Sequence, residues 1–119
     1  MSTTLLRVAA AFCFLAVALG VFGAYALKAK LEAMAMLEVW NKAVLYHLLH
    51  GVALAALALH GAANRAAFYL MAAGILLFSG SLYVMALIPQ LRDWLGAITP
   101  LGGLCFLTAW AWLVISPKA

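Results

Sequence analysis

The stretch AAFYLMAAGILLFSGSLYVMALI, residues 66–88, runs without one charged side chain. About 20 apolar residues wound as a helix cross the hydrocarbon core of a bilayer, so this segment is long enough to span one. Its second half nevertheless spends two serines and a tyrosine around a glycine, in LFSGSLYVMAL (77–87). In lipid each polar group needs a partner, from its own helix or a neighbour. The segment therefore sets the fold class and also marks where a site should be sought.

The rest of the chain agrees with a membrane reading. Of 119 residues, 70% are hydrophobic and 8% charged, against roughly a quarter charged in soluble domains. That leaves too little polar surface to clothe a water-soluble globule, and the expectation is one integral membrane domain covering residues 1–119. The net charge of +4 comes from seven Lys and Arg, mostly near the ends of apolar runs. Such placement suits lipid headgroups and topology setting, and no basic patch points to nucleic acid. Cys13 and Cys105 stand alone within apolar runs and read as small buried hydrophobes.

Four spans follow from length and breakers, at about 5–27, 43–59, 66–88 and 99–115. The first ends in an A-x-A-like Ala24-Tyr25-Ala26, but its apolar run is too long for a signal peptide and is read as a retained helix. HGAANR (60–65) is short enough to force the second and third spans antiparallel. Pro89 stops the third. Thr99 can cap the fourth with Pro100 at its first helical position, and Ser116-Pro117 closes it. Between spans one and two, Leu27, Leu31 and Met34 recur at helical spacing opposite Lys28, Lys30 and Glu32. Glu38 and Lys42 also stand in the favourable i,i+4 order. A short interfacial helix is predicted there, or an extension of span two, with Trp40 at headgroup level. Trp94 marks a similar element before span four, and Trp110 and Trp112 read as aromatic belt, although Trp110 could also pack against Gly or Ala of a neighbouring helix. The predicted fold class is an all-α, four-helix, up-down transmembrane bundle.

An up-down bundle brings Tyr25, Tyr46, His47, His50, Ser79, Ser81, Tyr83, Thr99, Gly102 and Gly103 into one membrane half, about a third of the way in. Tyr46 and His50 share a helix face, with His47 one position round. Ala72, Ser79, Tyr83 and Ala86 form a mostly small stripe, with Gly80 beside it for close approach. Two readings of this cluster stand open: polar glue between helices, or a pocket for a lipid headgroup, a small solute or a partner.

Other classes find less support. No acid lies in the spans to orient an imidazole, so His50 with Ser79 or Ser81 makes no catalytic triad, and no catalytic residue is assigned. Histidines occur on one span alone, so ligation across helices within one chain fails, and no metal or cofactor is expected. Membrane acids, the usual carriers of coupled transport, are also missing. The leading expectation is a non-enzymatic scaffold or a lipid- or partner-binding protein. The alternative is an oligomeric channel or carrier for a small uncharged or weakly anionic solute. Expected partners are membrane lipids, a second copy of the chain or another membrane protein.

Four blocks, GVFGAYALK (20–28), YHLLHGVAL (46–54), LFSGSLYVMAL (77–87) and ITPLGGLCFLTAW (98–110), resemble the domain of unknown function 423 family. These are small inner-membrane proteins of the YgdD/YwdK kind, with a similar protein in eukaryotes, transmembrane protein 256. The resemblance covers essentially the whole chain and implies four helices and a bacterial inner membrane, with no established activity or cofactor. The family usually has histidine where Tyr25 stands, which puts any two-histidine mechanism with His50 in doubt. Basic residues near the termini of relatives imply cytoplasmic termini, with the polar cluster opening to the outer side.

Overall fold

A computed structural model describes residues 3–60 and 65–115. Four helical stretches are long and apolar enough to cross a membrane, Thr3–Ala24, Leu37–His60, Arg65–Leu87 and Pro89–Ile115. The first is helix α1 (Thr3–Ala24). Helix α2 (Lys28–Ala33) links it to α3 (Leu37–His60). The third span is built from α4 (Arg65–Gly74), a π-helical turn (Ile75–Ser79) and α5 (Gly80–Leu87). Helix α6 (Arg92–Ile115) is the fourth. Residues 61–64 and the predicted stop at Ser116-Pro117 lie outside the described residues. The all-α four-helix membrane class holds.

Neighbouring spans run antiparallel and meet through small residues. Along α1 and α3, a side chain added at Gly23, Gly20 or Gly51 would meet Trp40, Val44 or Cys13 respectively. Between α3 and the third span, Ser79 hydrogen-bonds the Ala43 carbonyl and Tyr83 the His47 ring. Between the third span and α6, Gly74 faces Phe106, and Ser81 faces Thr99. The packing order is therefore α1, α3, third span, α6. One apolar core threads it, from Leu5 and Ala9 through Leu54, Phe68 and Met71 to Phe106 and Ala109.

The connection between α1 and α3 is the predicted short helix, ended by local hydrogen bonds. Ala35 takes a left-handed φ of 57°. Its N–H donates to the Glu32 carbonyl, and the Met36 N–H donates to the Leu31 carbonyl at 2.8 Å. Leu31 and Met36 are buried in one cluster with Trp40 and Ala86. These two bonds and this contact make a Schellman helix stop, here with alanine where glycine is usual. The ion pair of this region joins Lys28 to Glu32 at 4.0 Å, rather than Glu38 to Lys42.

Trp40, expected at headgroup level, does not face out of the bundle: it is 1% exposed, lies against Gly23, and its indole N–H donates to the Leu19 carbonyl at 2.9 Å. Glycine on α1 opens room for the indole, and the Leu19 carbonyl satisfies it, so burial is favourable. Nor does Thr99-Pro100 open the fourth helix. Ile88 before Pro89 is extended, at φ −130° and ψ 77°, as a residue preceding proline must be. Pro89 begins a 3₁₀ turn, and Asp93 sits in the first turn of α6, where a negative charge suits the helix dipole. This earlier start wins, and Pro100 falls inside α6. Trp94 is 78% exposed at that end.

Candidate functional site

The hydrogen bonds of the polar residues fall into three separate groups rather than one network.

The first group joins α3 to α6. His50 is buried with its ring stacked on Phe106, centroids 3.7 Å apart. Its Nδ1 lies 2.8 Å from the Tyr46 carbonyl, which can only accept, so Nδ1 carries the proton. Nε2 is then a lone pair, and the Trp110 indole N–H donates to it at 3.0 Å. The imidazole is thus held neutral in one tautomer with both nitrogens satisfied. Tyr46 packs on Phe78, centroids 4.7 Å apart, and these rings wall a cavity of about 720 Å³. Pro100, Gly103, Leu104 and Leu107 of α6 complete that wall.

The second group joins the third span to its neighbours through hydroxyls. Ser79 is fully buried and donates to the Ala43 carbonyl at 2.8 Å. Ser81 lies 2.6 Å from the Thr99 hydroxyl and 2.9 Å from the Phe78 carbonyl, while Thr99 lies 3.1 Å from the Leu95 carbonyl. Two hydroxyl protons serve these three contacts. Either Thr99 donates to Ser81 and Ser81 to Phe78, or Ser81 donates to Thr99 and Thr99 to Leu95. Both orders keep the bond between helices, so that contact holds α5 to α6 and the back-bonds alternate.

The third group lies among α1, α3 and α5. His47 Nδ1 is 2.8 Å from the Tyr83 hydroxyl, and Phe12 meets the imidazole edge-on. The backbone of Phe12 is a polar neighbour of the ring, yet no group reaches Nε2 with hydrogen-bond geometry. A phenol proton given to Nδ1 leaves one unsatisfied group, the Nε2–H. The reverse arrangement would leave two, so we assign the first; each orphan costs about 1–3 kcal/mol.

Several expected members sit elsewhere. Tyr25 follows the end of α1 and is 80% exposed, outside all three groups. Gly80 is no close-approach residue: an added Cβ would meet nothing nearer than its own turn's Ile75 carbonyl, at 4.0 Å. That role belongs to Gly102, whose added Cβ would strike the Phe78 backbone, 2.7 Å from its Cα. Gly103 lines the large cavity with room to spare. Helix α3 runs from Leu37 to His60, so His50 lies about 20 Å along it, near the middle of that helix.

The residues missed by sequence reasoning are Trp40, Phe78 and Phe106, together with the bond from Trp110 to His50. Gly102, Phe106 and Trp110 recur every fourth residue on α6, a spacing that could have put the aromatics on the glycine face. The acids Glu32, Glu38 and Asp93 are all exposed. Among the described residues, no three His, Cys, Asp or Glu side chains converge.

Four apolar spans with internally bonded polar side chains define a small integral membrane protein of the four-helix class. The family model described as "Protein of unknown function (DUF423)" matches residues 19–103. The chain is 44% identical over 108 residues to the UPF0382 membrane protein YwdK of Bacillus subtilis, covering 86% of this chain and 85% of that one. It is 35% identical over 117 residues to the UPF0382 membrane protein C1782.12c of Schizosaccharomyces pombe, covering 94% and 99%. No solved structure matches the chain. The chain belongs to the DUF423 family, which has members in bacteria and in yeast.

Proposed function

We propose that this membrane protein is non-enzymatic and holds the apolar part of a membrane lipid in the cavity over Phe106. The observation that carries the reading is the chemical state of the wall. His50 has both nitrogens committed, so the imidazole has no lone pair for a metal and no site to act as base. What the wall offers is aromatic and aliphatic surface from Tyr46, Phe78, Phe106 and Leu107. About 720 Å³ is ample for a ligand-sized body. Leu49, Leu104 and Leu107 are exposed on the outside of the helices, so the mouth faces the bilayer, where acyl chains are the abundant apolar species. The reading puts the protein in a bacterial inner (cell) membrane with both termini cytoplasmic. Arg7 and Arg65, at the starts of α1 and α4, then lie on the cytoplasmic side.

The test compares gently purified wild type with Gly103→Leu by native mass spectrometry and lipid analysis. A side chain at Gly103 enters the cavity with its nearest neighbour, Phe78, 4.0 Å away, so it fills space without disturbing the backbone. Wild type should carry lipid, and the variant should lose it while unfolding at the same detergent midpoint. Equal lipid on both, or an empty wild-type protein, rejects the reading. Labelling of Ser2→Cys and Ala62→Cys from each side of the membrane tests the orientation.

A further inference from the structure

A second cavity continues the one over Phe106. It measures about 190 Å³ and is lined by Ala53, Leu57 and His60 of α3, Met71 of the third span, and Trp110 and Leu113 of α6, among others. Along α3, Tyr46 and His50 line the first cavity and Ala53, Leu57 and His60 the second. They recur at steps of three and four residues, the spacing of a single helix face. Gly103, Phe106, Trp110 and Leu113 repeat the pattern on α6. The two cavities are thus successive parts of one seam, which follows α3 for about 21 Å from Tyr46 to His60. Trp110 lines both, so its indole stands where one gives way to the other. Resting on the lipid reading of the first cavity, we propose that Trp110 is the stop at which the held chain leaves the seam, and that it sets the chain length the protein prefers.

The indole is tied across the seam from α6 to α3. Its N–H donates to His50 Nε2 at 3.0 Å, and His50 is itself anchored on the Tyr46 carbonyl and stacked on Phe106. A chain threading from the first cavity into the second has to push the indole aside. That breaks the bond and leaves a donor and an acceptor unpaired in hydrocarbon, with no replacement from an apolar guest. Turning outward costs the chain less, because the mouth faces the bilayer and Trp110 itself is 44% exposed. A methylene inside the seam packs against fixed side chains. One that turns out at Trp110 returns to lipid, which is as apolar as the seam, and gains nothing. Added length therefore strengthens binding up to Trp110 and no further. Past the indole, Ala53, Leu57, Met71 and Leu113 offer apolar surface that would take more methylenes if the indole were removed.

The test titrates delipidated protein in detergent with phosphatidylglycerols of increasing saturated chain length, lauroyl to arachidoyl, and reads occupancy by native mass spectrometry. Wild-type occupancy should rise with chain length and then level off. In Trp110→Ala the levelling point should shift to longer chains. Adding Ala53→Leu, which fills the second cavity, should shift it back. Ala53→Leu alone should keep the wild-type profile, because no chain enters that cavity while Trp110 is in place. A wild-type profile that never levels off, or a levelling point unmoved in Trp110→Ala, overturns the stop and leaves the lipid reading standing. Wild-type protein that takes up no lipid of any length rejects both. If Trp110→Ala does not fold, Ala53→Leu decides alone: an unchanged profile supports the stop, and a shortened one shows the chain already passing Trp110 and overturns it.

Discussion

The indole N–H of Trp110 donates to Nε2 of His50 at 3.0 Å, joining residues 60 positions apart. That bond fixes the imidazole tautomer and closes one end of the aromatic wall. Trp110→Phe keeps an aromatic ring and deletes the donor, leaving a bare lone pair on a buried imidazole. We expect a loss of about 1 kcal/mol in detergent unfolding, within the range of bonds between membrane helices. Adding His50→Leu to Trp110→Phe should cost less than the sum of the two single changes, because no polar group is then orphaned. A strictly additive pair would deny the bond.

Gly102 and Gly80 should part company under one substitution. Gly102→Ala drives a methyl into the Phe78 backbone, which cannot turn aside as a side chain can. A loss of about 2–3 kcal/mol is expected, at the upper end for overpacked sites. Gly80→Ala meets open space and should change the unfolding midpoint little, or raise it through better helix propensity. Equal losses at both positions would contradict the packing described.

Ser81 and Thr99 share one bond in either proton order. Ser81→Ala and Thr99→Val should each cost about 0.5–1 kcal/mol, with a coupling of roughly half a kcal/mol between them. Additive behaviour in the unfolding cycle would mean that the two hydroxyls serve their own helices alone.

Ala35 holds a left-handed backbone at the end of α2. Such a conformation costs a residue with a Cβ about 1–2 kcal/mol and costs glycine little. Ala35→Gly should therefore stabilise the protein. Greater freedom of the unfolded chain offsets part of the gain, leaving roughly half a kcal/mol. A lower unfolding midpoint in Ala35→Gly would refute the helix-stop assignment.

The span count, the stop at Pro89 and the short helix before span two are all readable from residue order, because hydrocarbon length and proline stereochemistry act locally. What was not readable is which neighbour each polar group chooses. Tyr25 looked like a member of the cluster by depth, but it stands past the end of α1 facing outward. His47 and His50 looked like near neighbours of one site, yet three positions of helix turn one toward Tyr83 and the other toward Trp110. Depth follows from counting residues along a span. Azimuth follows from pairwise fit, such as Gly23 with Trp40 or Gly102 with Phe78, and no single segment encodes it. Thr99-Pro100 misled for a related reason: a good helix start is also tolerated inside a helix already begun upstream.

The π-helical turn at Ile75–Ser79 makes the length of the third span as informative as its composition. The widened turn holds one residue more than an α-helix would there. Tightening that turn to an α-helix with all its residues kept would rotate everything from Gly80 onward by roughly one residue's 100° relative to α4. Ser81 would then turn away from Thr99, and Tyr83 from His47, with no polar side chain removed. Deleting one residue between Ile75 and Ser79 instead removes the excess and leaves Ser81 and Tyr83 facing much as before. The wide turn, which supplies no side chain to either contact, thus sets the register of both.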